Sequence, residues 1–204
     1  MSERDDDSEV DPDDPQIQRL TIVARFSRHV LSLEWGRRLG KPLSKDERAD
    51  AQAYLDAAGF PDASIAVVTD WHEAAHIAEN PNWNDGWWEA EQQLQSGLVS
   101  QAVAVIDQNE LIDALNHVAS QTAGAAVEAI ETAAQRADYR EDKALGEEGS
   151  FLTALSGFAV ASSYQAGLVL AAGADEHHPF SIKFRLVESG RLPIGVIGNT
   201  FTVF

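Results

Sequence analysis

The chain has 204 residues, enough for one domain with a substantial core, and carries 33 acidic against 15 basic side chains for a net charge of -18 at neutral pH. Such a charge repels phosphate backbones and anionic lipid, which argues against nucleic-acid and membrane partners. The absence of cysteine excludes disulfides, thiolate catalysis and thiolate metal sites.

Residues 1–15 are acidic, punctuated by proline and poor in large apolar side chains, which predicts a disordered tail ahead of a single domain over 16–204. The start lacks the basic-then-apolar pattern of a secretory signal, so a cytoplasmic setting is expected. From Gln16 to Leu39 the apolar residues Leu20, Val23, Val30 and Leu31 recur at helical spacing, with Gly40 and Pro42 as stops. Ser44 with Glu47 reads as a capping box opening a second helix through Ala58. Ile65 to Thr69 is β-branched, yet Asp62 can cap a helix on which Ile65, Val68, His72 and Ala75 share a face, and a helix through Ala78 is expected. A further helix is expected from an Asp85 cap, with Trp88, Leu94, Leu98, Ala102 and Val105 on its buried stripe. Another carries Leu111, Leu115, Val118, Ala126 and Ile130.

Gly149 to Ala174 has no charge and is long enough to span a bilayer. Its Ser, Thr, Tyr and Gln content and its acidic flanks fit instead the uncharged central helix of a bundle. Beyond it, Phe180, Ile182, Phe184 and Leu186 alternate with polar residues and predict a strand. With Leu192 to Ile197 and Thr200 to Phe204 this makes an antiparallel β-meander over 179–204. The expected fold is mainly α: five or six helices around the central one, with the small C-terminal meander closing one face.

Two groups of residues bear on function. His72-Glu73-x-x-His76 on a helix would set two imidazoles one turn apart to hold zinc or another divalent metal, with Glu73 as general base. A third ligand would come from Glu89, Glu91, His177 or His178. The competing account makes the His pair a structural, hydrogen-bonded feature. Trp71, Trp83, Trp87 and Trp88 could line a pocket for an apolar or cationic ligand, or cover a corner of the core.

The function expected from these features is a non-catalytic interaction or small-ligand binding protein acting through its acidic surface and its Trp- and His-rich region. The alternatives are a metal-dependent zinc hydrolase centred on His72, Glu73 and His76, and an acidic inhibitor or immunity-type protein masking a basic partner. The acids are dispersed along the chain and lysine is scarce, which fits either a halophilic, salty cytoplasm or a surface that meets a basic partner. If salt adaptation is the cause, the melting midpoint should climb from low to molar NaCl further than in a charge-balanced protein of this size. A flat response would favour the basic partner.

Overall fold

A computed structural model describes residues 13–79, 82–140 and 151–204. The expected tail lies almost entirely outside the described residues. Asp14 accepts a hydrogen bond from the Gln16 backbone N–H and caps α1 (Pro15–His29), with Pro15 at the first helical position, where its missing N–H costs nothing. This helix stops ten residues before the expected end. Val30–Ser32 tightens into a 3-10 turn, and the Trp35 indole N–H donates to the freed Val30 carbonyl at 2.9 Å. The chain then turns through Gly36 and Gly40, both at positive φ.

The capping box at Ser44 and Glu47 opens α2 (Lys45–Ala58), closed by Gly59 in the left-handed conformation. The expected helix over 62–78 is corrected: Ser64–Val67 forms β1, and Asp70, not Asp62, caps α3 (Trp71–Ala78). Asn84 caps α4 (Asp85–Val103), so Asp85 is its first residue rather than its cap. On α4, Leu98 and Ala102 are buried as expected, whereas Trp88 is exposed and Trp87 turns inward; Val105 lies beyond the end of the helix and is exposed. Asp107 then caps the long α5 (Gln108–Arg136).

The central helix α6 (Phe151–Ala172) packs along α5 and also touches α1, α4 and α7. It is long and apolar enough to cross a membrane, but more than half of its most apolar stretch is buried inside this fold. Its role here is that of a core helix.

The expected strand at 179–186 is also corrected. His178 caps and Pro179 opens a helix, α7 (Pro179–Glu188), with both Phe180 and Phe184 buried. Phe180, Phe184 and Val187 fall at i, i+4 and i+7, so the same residues satisfy a helical period as well as alternation. Packing between α2 and α6 buries two faces of the helix, which is why the apolar residues seemed to alternate.

β2 (Pro193–Ile197) pairs antiparallel with β3 (Thr200–Val203), and β1 adds to the other side of β3 in parallel, giving the order β1-β3-β2. The protein is thus mainly helical with a small three-stranded sheet, as expected. The sheet is mixed rather than a meander, because its third strand comes from residue 64 instead of residue 180. Phe180, Ile182, Phe184, Phe201 and Val203 are all buried.

At the junction of α7 and β2, Arg191 is fully enclosed. Its Nε and Nη2 each donate to the Glu47 carboxylate at 3.2 Å, and the remaining N–H groups reach the carbonyls of Arg38, Lys41 and Pro42. All five guanidinium donors are therefore used. Burial alone would raise the Glu47 pKa; the hydrogen bonds from Arg191 and Ser44 and the Arg191 charge outweigh it and lower the group from the ordinary 4.5 to about 2. Glu47 thus contributes stability that is fully present above about 4.5 and lost as pH falls toward about 2. Glu47→Gln should remove that part of the acid dependence, measured as the difference between the two proteins' unfolding free energies across this range. Arg191→Met leaves the buried Glu47 carboxylate with only the half-buried Arg38, 3.3 Å away, as its cation and should cost roughly 3 kcal/mol at neutral pH in denaturant unfolding.

Candidate functional site

The side chains of His72, Glu73 and His76 are exposed on the eight-residue α3. The His72 ring packs against Tyr139, with centroids 5.0 Å apart. Among the described residues no three His, Asp or Glu side chains converge in a way that could hold a metal. The four side chains considered as a third ligand stand as follows. Glu89 is exposed, and Glu91 is buried and bonded to other groups. His177 is exposed, and its backbone N–H donates to Asp175. His178 accepts the Phe180 N–H on Nδ1 as the α7 cap. Burial pushes the His178 pKa below the usual imidazole range against the pull of Asp175, which keeps the capping nitrogen unprotonated.

The four tryptophans divide. Trp71 is buried among Phe204, Phe151 and Tyr139. Trp83, Trp87 and Trp88 instead wall a cavity of about 670 Å³. On α4, Trp88, Glu91 and Gln95 follow one another at i, i+3 and i+7, and on α6 Phe158, Ala161, Ser162 and Gln165 do the same, so each helix turns one face to the cavity. The Trp83 segment is tied to the sheet through a bridge to Ile197 and an Asn84 N–H bond to the Val196 carbonyl. β2 completes the wall.

Along the buried side of this cavity runs a polar network. The Trp87 indole N–H donates to the Tyr54 hydroxyl at 2.7 Å, and that hydroxyl donates to Glu91 Oε1 at 2.6 Å. Lys183 Nζ donates to the same oxygen at 2.5 Å, and Gln165 Nε2 reaches Oε2 at 3.3 Å. The Lys183 ammonium also lies over the rings of Phe180 and Tyr54, 5.1 and 5.6 Å from their centroids. Burial, then the charge of Glu91 and the hydrogen bond to it, raise the Tyr54 pKa well above its ordinary value, so the phenol stays a donor. Burial lowers the Lys183 pKa, and the Glu91 carboxylate works against that. The lysine and the tyrosine were not anticipated as site residues. The available signal was a lone lysine within the apolar run Pro179 to Leu186, inside a chain with only four lysines.

Comparison of the chain with protein-family models, with curated proteins and with solved structures finds no match. The reading of the site rests on its own chemistry.

Gly195 is the point where the sheet meets the indoles. Its φ is +141°, and a Cβ there would stand 2.6 Å from the Trp83 ring and 3.0 Å from Trp87. Gly195→Ala should therefore combine backbone strain with displacement of two cavity walls. We expect a loss of about 1–3 kcal/mol in denaturant unfolding and a shifted tryptophan emission in the folded state.

Proposed function

We propose that the protein binds a small, mainly apolar molecule in the cavity walled by Trp83, Trp87 and Trp88, without turning it over. The observation that carries this reading is the buried Glu91–Lys183 pair, held by Tyr54 and Gln165, at the side of an indole-walled space large enough for a drug-sized ligand. Apolar walls give the burial energy, and a few fixed polar groups give orientation. Because Lys183 neutralises Glu91, the interior favours an uncharged ligand. Asp85 and the exposed face of Trp88 at the cavity's edge tolerate a cationic group there. The acidic surface supports this selectivity by disfavouring anions, and a cytoplasmic setting belongs to the same proposal.

The test is a fluorescence titration with N-phenyl-1-naphthylamine, an uncharged probe that brightens in apolar surroundings. Saturable one-to-one binding is expected. Ala161→Phe, at an exposed position on α6 facing the cavity, should fill it and weaken the probe at least about ten-fold, equivalent to about 1.4 kcal/mol. Absence of saturable binding, or binding indifferent to Ala161→Phe, would overturn the assignment.

A further inference from the structure

We propose that Lys183 is a reactive amine that captures aldehydes entering the indole-walled cavity as a covalent imine, an inference that rests on the small-ligand reading of that cavity. The chain has four lysines, of which Lys41 and Lys45 are exposed; Lys183 is 6% exposed and borders the cavity. A buried ammonium is expensive to desolvate, so its placement beside an open space calls for a use.

The other buried cation among the described residues shows what a purely structural charge looks like in this molecule. Arg191 has every N–H on a fixed acceptor and is closed off on all sides. Lys183 has one acceptor, Glu91, for three N–H groups, and otherwise faces aromatic rings. Its unfilled capacity lies next to the cavity.

Glu91 is placed to move the protons. When its carboxylate takes one proton from the Lys183 ammonium, the nitrogen lone pair is free to attack the carbonyl carbon of a bound aldehyde. The new C–N bond forms as the C=O π pair moves to oxygen, and that oxygen takes a second proton from the nitrogen to give a carbinolamine. Glu91 then returns its proton to the hydroxyl, which leaves as water while the C=N bond forms. The sum is ammonium plus aldehyde giving protonated imine plus water, with no oxidant or reductant and with Glu91 again ionised beside a cation. The buried charge balance is the same before and after. Tyr54 and Gln165 hold the carboxylate through both transfers. Burial also favours release of the ammonium proton, in opposition to Glu91. The indole walls select aldehydes with an apolar body, and the carboxylate of Asp85 disfavours anionic ones.

The experiment is reductive trapping: the full chain is incubated with benzaldehyde and sodium cyanoborohydride, and the benzylated lysines are located by peptide mass spectrometry. We expect Lys183 to be modified at least ten-fold faster than Lys41 and Lys45 in the folded protein, with the preference lost in urea. Ala161→Phe should lower Lys183 labelling at least ten-fold and leave Lys41 and Lys45 unchanged. Slower labelling of Lys183 than of the two exposed lysines, as burial alone would give, overturns the proposal. If N-phenyl-1-naphthylamine still binds in that case, the cavity reading stands and only the imine fails; if the probe does not bind, both fail. The decisive comparison is made within the unaltered chain, so it does not depend on a variant folding.

Discussion

The contact between Arg191 and Glu47 sets the geometry on which the rest of the molecule depends. Arg191 follows α7 and precedes β2, and Glu47 lies in the first turn of α2. Their two-point ion pair, together with the three carbonyls of the 38–42 segment, fixes α2 against the junction of helix and sheet. Tyr54 lies two turns along α2 from Glu47, on the same buried side as Ala51. Lys183 lies on α7, eight residues before Arg191. Clamping one end of this helix pair therefore sets where the phenol and the ammonium meet Glu91 on α4. An arginine suits this position because its planar fork can serve a carboxylate and several carbonyls at once, which a lysine cannot do.

Among the described residues the fold thus holds two buried ion pairs of different construction. At the clamp, the cation is saturated and enclosed, and the pair contributes geometry. Beside the cavity, the carboxylate is the better-satisfied partner: it accepts from Lys183, Tyr54 and Gln165, while the ammonium is under-used. Tyr54 and Gln165 hold that carboxylate independently of the lysine. The apolar cavity wall lowers the local dielectric, which strengthens each of these contacts and makes an unfilled one more consequential. The indole of Trp87 serves both parts, since its ring walls the cavity and its N–H orients the Tyr54 hydroxyl.

Gly195 shows how closely sheet and site are joined. The irregular register between Pro193 and Gly195 bends β2 where it passes the indoles, and the lack of a side chain lets backbone and rings approach. The cavity is consequently a property of the packing of α4, α6, α7 and β2 together, with no single loop or motif containing it.

The sequence by itself determined the helical class, the cap of α2 and much of the core. Ser44 with Glu47, the uncharged run from Phe151 to Ala172, and the stripe on α5 each state their structure locally, because capping and helical periodicity are decided within a few residues. It also pointed to Trp83, Trp87 and Trp88, which are close along the chain. Tertiary structure decided the rest. Ile65 to Val67 is a strand because β3, more than 130 residues later, supplies its hydrogen bonds, and the β-branched run alone does not carry that information. Pro179 to Glu188 is a helix because it is buried on two faces, so that its apolar residues fit both periods until neighbours exist to choose between them. Trp71 separates from the other indoles for the same reason. Glu91, Tyr54, Gln165 and Lys183 come from four helices, and only their packing converts scattered polar residues into one network.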